Sequence, residues 1–91
     1  GAIPDVVKID VEGAELMTLE GARHVLMQHM PTVFLSVHPR QMATLGQSID
    51  DLMDVIQELG YEAWDIKHAT RCTSVLQFGE YRLERKKTKY G

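Results

Sequence analysis

The sequence has little of several features, and each shortage excludes a class of protein. Its 91 residues include a single cysteine, Cys72, so no disulfide forms within the chain and a disulfide-stapled secreted module is excluded. No uncharged apolar run approaches the roughly 20 residues that span a bilayer. The formal net charge is −3, without the basic excess that binds nucleic acid. We therefore expect a cytoplasmic protein with no nucleic-acid partner and no membrane partner.

Several motifs for bound groups are absent as well. The sequence contains no C-x-x-C or H-E-x-x-H spacing, so it predicts no metal site. It also contains no P-loop and no G-x-G-x-x-G run, the glycine patterns that cradle phosphates or dinucleotides. The cofactor-binding residues are therefore unknown from the sequence.

The composition that is present is typical of one folded unit. Hydrophobic residues make up 44% of the chain, which excludes wholesale disorder. Residues 1–79 carry five basic and eleven acidic side chains, whereas residues 80–91 carry five basic and two acidic ones. We predict a single domain over residues 1–91, with residues 82–91 as a basic, disordered tail. Because the chain starts without methionine, we expect this domain to be partial.

Hydrophobic periodicity predicts the element order β-α-β-α-β-β. β-branched and apolar runs indicate strands at residues 6–9, 32–37, 61–66 and 74–78. Residues 39–47 are interpreted as a polar loop. Two right-handed crossovers give an α/β sheet with three parallel strands and one antiparallel strand.

Two stretches have the apolar spacing of helices. The first covers residues 16–26 and contains Gly21, which predicts a break in the helix. The second covers residues 49–59 and lies between Ser48, a predicted N-cap, and Gly60, a predicted stop.

Three carboxylates follow the first predicted strand within six residues. Asp10 and Glu12 alternate with the apolar residues of the strand end, and Glu15 lies in the first turn of the next helix. Open α/β sheets bind ligands at this end of their parallel strands. Asp10 and Glu12 are therefore candidate catalytic residues, and Glu15 is a candidate substrate-binding residue. The alternative is a capped strand–helix turn without a further role.

A second polar group ends the second predicted strand. Adjacent parallel strands end together, so His38 is expected in the same crevice as Asp10. The near-neutral pKa of histidine suits a proton acceptor, which makes His38 a third candidate catalytic residue. Ser36 and Arg40 flank it and are candidate substrate-binding residues. The alternative for His38 is a strand-end side chain bonded to a loop backbone.

A series of motifs in this order resembles the FkbM family of S-adenosylmethionine-dependent methyltransferases. The run Lys8–Glu15 reads KIDVEGAE and is followed by Leu19–Ala22, which reads LEGA. A later apolar strand then ends in Val37-His38-Pro39. The resemblance covers roughly residues 4–66.

The resemblance implies a fold beyond the element order. By this resemblance, the chain corresponds to the second half of a Rossmann-like class I methyltransferase sheet. The predicted strands would lie side by side in the order first, second, fourth and third. The first half of such a sheet pairs with the first strand of this chain and carries the glycine-rich loop. The fragment alone is therefore expected to be inactive.

The resemblance also implies a reaction. The cofactor is expected to be S-adenosylmethionine, and the acceptor a hydroxyl of a small molecule or glycan. By analogy, Asp10 and Glu12 lie at the methyl-transfer crevice, Glu15 supports them and His38 helps to position the acceptor. Many relatives carry glutamate where this chain has Ser36, so the site departs from the family pattern there.

Two other functions are compatible with the same residues. The first strand has the apolar character of a strand with neighbours on both sides, so its outer edge suits an interaction module or a homodimer. Alternatively, Asp10, Glu12 and His38 form a metal-dependent hydrolase-like site.

Overall fold

The described part of the chain folds as an α/β unit of five strands and four helices. The computed structural model describes residues 5–86. The strands are β1 (Val6–Ile9), β2 (Thr32–Val37), β3 (Tyr61–Asp65), β4 (Thr70–Cys72) and β5 (Gly79–Arg85). The helices are α1 (Glu15–Gly21), α2 (Arg23–His29), α3 (Pro39–Thr44) and α4 (Ile49–Glu58).

All five strands form one sheet in the order β1-β2-β5-β3-β4. β1 pairs with β2 in parallel, and the other three pairings are antiparallel. Because β5 runs opposite to both of its neighbours, β1, β2 and β3 point in the same direction. The α/β class is confirmed. Three strands run in one direction and the last strand runs against them, as the sequence predicts, but the description as three parallel strands and one antiparallel strand is incomplete. It misses β4, which pairs with β3 as a second antiparallel strand, so that three of the four pairings are antiparallel.

The last part of the sheet differs most from the sequence prediction. No strand forms at residues 74–78; β5 begins at Gly79 and continues to Arg85. Buried Tyr81 and Leu83 alternate along β5 with polar residues, which is the period of a strand. The high density of charge conceals this alternation in the sequence.

The predicted disordered tail is therefore wrong over part of its length. Residues 82–85 belong to β5 and pair with β3, and the first two of them also pair with β2. The rest of the predicted tail, from residue 87 onward, lies outside the described residues.

The helix boundaries follow local sequence signals. α1 ends at Gly21 and α2 begins at Arg23, as the glycine predicts. The Ser48 hydroxyl accepts a hydrogen bond from the Asp50 backbone at the start of α4, and Gly60 ends that segment with a φ of +87°. The predicted loop at residues 39–47 is wrong because α3 forms there, with its proline at the first turn, where a missing N–H costs nothing.

One face of the sheet holds the core. In β2, Val33, Leu35 and Val37 are fully buried, whereas Thr32 and Phe34 on the other face are half-buried. The helices α1 and α4 pack against each other and supply further buried side chains. This packing fixes the ends of β1 and β2, where the polar residues lie.

β1 forms one edge of the sheet, and no described strand pairs with its outer side. Its first residue, Val6, is 55% exposed. Among residues 5–86, no helix has the length and apolar content that crossing a membrane requires.

Candidate functional site

The polar groups singled out in the sequence meet where β1 and β2 end. Ile9 and Leu35 are partners in the parallel ladder, so the two strands leave the sheet side by side. Asp10 and the turn into α1 follow β1, and His38 follows β2 at the start of α3. The segments that carry Asp10, Glu15 and His38 are thus held together by the sheet and the two helices.

Glu15 and His38 form the central contact. The His38 Nδ1 atom lies 2.9 Å from Glu15 Oε1, and the Gly13 backbone N–H donates to the same oxygen at 2.8 Å. A carboxylate only accepts hydrogen bonds, so we assign the shared proton to His38 Nδ1. In the neutral ring the other nitrogen, Nε2, then has a free lone pair. The Glu15–His38 pair thereby determines which of the two imidazole nitrogens, Nε2, can accept a proton.

Burial makes this contact strong. The Glu15 side chain is 0% exposed and the His38 side chain 14%. The second Glu15 oxygen, Oε2, is buried without a hydrogen-bond partner among the described residues. The hydrogen bond that His38 donates to Glu15 raises the pKa of His38 above its ordinary value. Burial opposes this rise, and the charges of Glu15, Asp10 and Glu12 add to it.

Asp10 and Glu12 are more loosely placed. Asp10 Oδ1 lies 3.8 Å from His38 Nε2, and the Asp10 side chain is 51% exposed. Glu12 is exposed and has a φ of +43°, a left-handed turn conformation. It affects His38 through its charge rather than through a direct hydrogen bond. Asp10 therefore lies beside the free nitrogen of His38, and Glu12 lies farther away.

Gly13 allows the turn to pass close to α3. Its φ is +110°, and a Cβ atom built on it would lie 2.8 Å from the Gln41 carbonyl carbon. No side chain fits at this contact without movement of the backbone. The space beside Gly13 is thus filled by α3, which also carries Arg40.

Ser36 lies on β2, two residues before His38, and forms a hydrogen bond with Glu80, a residue that the sequence did not single out. Its side chain is nearly buried, and its hydroxyl donates to Glu80 Oε2 at 2.6 Å. Ser36 and Glu80 are direct partners in the β2–β5 ladder. A signal for Glu80 exists in the alternation of polar and apolar residues along residues 79–85, but the pairing partner cannot be read from it.

Phe78 is the second missed residue. Its ring meets the His38 ring edge-on, with centroids 5.7 Å apart, yet 76% of Phe78 is exposed. With Pro39, Gln41 and the exposed Arg40, it lines a shallow cavity of about 400 Å³. The exposed ring gives this end of the crevice an apolar wall.

The arrangement can hold and accept a proton, but it does not resemble a metal centre. Within residues 5–86, no three histidine, cysteine, aspartate or glutamate side chains converge as a metal-binding group. The metal-dependent hydrolase alternative therefore has no support from the part of the chain that is described.

Comparison with known protein families gives a match. A family profile described as Methyltransferase FkbM domain matches residues 1–63, which is more than half of the chain. The matched range contains Asp10, Glu15 and His38, whereas Phe78 and Glu80 lie outside it. Neither the curated proteins nor the solved structures contain a significant match.

Proposed function

Because the chain belongs to the FkbM methyltransferase domain family, we propose that it supplies the acceptor side of an S-adenosylmethionine-dependent O-methyltransferase. The proposed acceptor is a hydroxyl group of a small molecule or glycan. When bound, S-adenosylmethionine would supply the methyl group: the sulfur–methyl bond would break as the oxygen–methyl bond forms, leaving S-adenosylhomocysteine and releasing the hydroxyl proton. The proposed part of this chain is to orient the hydroxyl and accept that proton.

The observation that carries the proposal is the Glu15–His38 pair. Its buried carboxylate holds the Nδ1 proton and leaves Nε2 of the neutral ring as the acceptor. The Glu15 carboxylate raises the pKa of His38, and a positioned imidazole that is a stronger proton acceptor suits general-base catalysis. Asp10, 3.8 Å from Nε2, stabilises the imidazolium that forms. The negative charge of Glu12 also favours the imidazolium form of His38.

The other candidate residues take more specific parts in this proposal. Glu15 is fully buried, so we assign it to the positioning of His38 rather than to acceptor binding. Ser36 is nearly buried too and acts through Glu80. Arg40 is exposed beside Phe78 and remains a proposed acceptor contact.

The described residues do not fit the whole cofactor. The sequence has no G-x-G-x-x-G run, and the space beside Gly13 is occupied by Gln41. We therefore propose that the chain works as part of a longer protein and that the 91 residues alone bind S-adenosylmethionine weakly. A cytoplasmic location is part of the same proposal and rests on the single cysteine.

Two measurements test the proposal. Calorimetric titration of the 91-residue chain with S-adenosylmethionine should give weak or no binding. Micromolar affinity would contradict the proposal that most of the cofactor site lies outside these 91 residues. In the full-length natural protein, transfer of a radiolabelled methyl group to hydroxyl acceptors should rise with pH as His38 loses its proton. Transfer that proceeds equally well in the His38→Gln variant would remove the proposed base.

A homodimer through β1 is the second proposal; it applies to the 91-residue chain by itself, because in a longer protein the first half of the sheet would pair with the same edge. Its support is the outer edge of β1, which has no described partner, and the exposure of Val6. Sedimentation equilibrium should show dimers that Val6→Lys disrupts, because a charge at a strand edge opposes pairing. A monomer at high concentration would contradict this proposal.

A further inference from the structure

We infer that Glu80 is an acceptor-binding residue, and that the site therefore takes a polyhydroxylated acceptor such as a sugar rather than an isolated alcohol. This inference rests on the proposed function, in which one acceptor hydroxyl lies at His38. Glu80 would accept a hydrogen bond from a second hydroxyl of the same molecule.

The sheet register places Glu80 beside the site. The antiparallel ladder pairs Ser36 with Glu80 and Val37 with Gly79. Extending it by one step brings His38 opposite Phe78, and the contact between their rings confirms this step. Paired residues of an antiparallel ladder project to the same face, so Glu80 lies next to Ser36 on the face that leads to His38.

The Ser36–Glu80 hydrogen bond orients the carboxylate toward a ligand. The buried Ser36 hydroxyl holds Oε2 at 2.6 Å, a length typical of charge-assisted O–H···O⁻ bonds. Glu80 itself is exposed and forms no ion pair with any residue from 5 to 86. One oxygen is thus anchored in the protein, and the carboxylate keeps acceptor capacity for a group from solvent.

The buried neighbour Glu15 fixes the other end of the proposed site. Glu15 is 0% exposed and holds His38 Nδ1 from the interior at 2.9 Å. The nitrogen that remains for a ligand is therefore His38 Nε2. The two acceptors that a ligand would meet are this nitrogen and the Glu80 oxygen that Ser36 does not hold.

The spacing and the charge indicate the class of acceptor. Diagonal neighbours across an antiparallel ladder are roughly 7–8 Å apart, so His38 and Glu80, the ladder partner of Ser36, are close enough to contact one small molecule. A sugar carries several hydroxyl groups within such a span, whereas an isolated alcohol carries one. The carboxylates of Asp10, Glu12 and Glu80 outnumber the one nearby cation, Arg40, which favours neutral hydroxyl donors over phosphorylated or carboxylated acceptors.

A binding experiment without any methyl donor tests this inference. The ¹⁵N-labelled 91-residue chain would be titrated with methyl α-D-glucopyranoside, and with cyclohexanol as a single-hydroxyl probe, while amide shifts are followed by NMR. We expect the glucoside to shift the amides around residues 36–38 and 78–80, and cyclohexanol to bind at least about tenfold more weakly. The Glu80→Gln variant should lose about tenfold in glucoside affinity, as expected for a charge-assisted hydrogen bond.

The variants separate binding from folding. Glutamine at position 80 still accepts the Ser36 hydrogen bond, so the β2–β5 contact is kept. Glu84→Gln is the matched control, because Glu84 lies on the same strand in an ion pair with Arg82. Should Glu80→Gln fail to fold, Ser36→Ala is the second variant. It keeps the Glu80 carboxylate but removes the hydrogen bond that orients it, so a loss of two- to tenfold in glucoside affinity is expected.

Three results would overturn the inference. They are an unchanged affinity in Glu80→Gln, equal binding of cyclohexanol, and no glucoside shift at these amides in the wild-type chain. Because no methyl group is transferred in this experiment, loss or retention of transfer in His38→Gln does not affect its outcome. A negative result in the binding experiment would therefore contradict the role of Glu80 without contradicting the proposed methyl transfer, and a negative result in the transfer assay would do the reverse.

Discussion

Two carboxylate–imidazole pairs in this molecule have nearly the same length but different surroundings. Glu15 and His38 are joined at 2.9 Å, and Asp65 and His68 at 2.7 Å. The first pair joins two elements 23 residues apart, and its side chains are 0% and 14% exposed. The second joins residues three apart in the turn after β3, and its side chains are 26% and 64% exposed.

The difference shows that a short contact alone does not identify a functional site. In the turn, the His68 ring and backbone N–H both bond to Asp65, which lowers the pKa of that carboxyl. Such a contact is a local turn motif that solvent weakens. In the crevice, burial holds one imidazole orientation and leaves Nε2 of the ring to act on a ligand. Orientation by distant elements distinguishes the candidate site.

The largest expected difference between the two pairs is in catalysis. In the full-length natural protein, His38→Gln should lower the rate of methyl transfer by roughly 10²–10⁴, the usual contribution of a general base. His68→Gln should leave the rate within about twofold. Steady-state kinetics with saturating acceptor measures both, and similar losses in the two variants would erase the distinction.

Removal of the buried carboxylate should have the next largest effect. Glu15→Gln breaks a buried charged pair and should lower the free energy of unfolding by about 3 kcal/mol. Asp65→Asn, at an exposed pair, is the matched control and should change it much less, because solvent screens that pair. Urea unfolding monitored by circular dichroism compares them. A smaller cost for Glu15→Gln than for Asp65→Asn contradicts the assignment of the buried pair.

The turn that supports Glu15 gives a smaller effect. Gly13→Ala should destabilise the chain by about 1–3 kcal/mol, because the residue has a φ of +110° and its Cβ would overlap Gln41. Gly21→Ala is the control, since a methyl group added at Gly21 would meet nothing within 4 Å. That variant should be neutral or more stable by up to about 1 kcal/mol. Equal thermal midpoints for the two would show that the turn tolerates a side chain.

The smallest expected effect is on the pH dependence of stability. The folded-state pKa of His38 is raised, so its contribution is fully present below about pH 6.5 and is lost as pH rises through the folded-state pKa. The folded-state pKa of Asp65 is lowered, so its contribution is present above about pH 4 and is lost as pH falls through the folded-state pKa. Urea midpoints from pH 3 to pH 9 should show the alkaline loss disappear in His38→Gln and the acid loss disappear in Asp65→Asn. Unchanged profiles would contradict these signs.

Local sequence signals account for much of the fold. The β-branched runs of β1 and β2, the break at Gly21 and the cap at Ser48 act within a few residues, so the sequence predicts them. The same holds for the meeting of Asp10 and His38, because parallel strands joined by a helix end at the same edge.

The features that the sequence did not reveal depend on tertiary pairing. Glu80 and Phe78 reach the site only because β5 inserts between β2 and β3, and no local pattern sets that register. Glu15 has the sequence position of a solvated first-turn acid, yet the packing of α1 against the sheet buries it. β4 is three residues long, too short for its alternation to be recognised.

The central claim is that Glu15 fixes the proton on His38 Nδ1 and leaves Nε2 free. Heteronuclear NMR of the imidazole nitrogens, recorded as a function of pH in the wild type and in Glu15→Gln, tests it directly. We predict that neutral His38 carries its proton on Nδ1, that its pKa lies above the ordinary value, and that Glu15→Gln lowers that pKa. A His38 ring protonated on Nε2 when neutral, with a pKa that Glu15→Gln does not change, would contradict this claim.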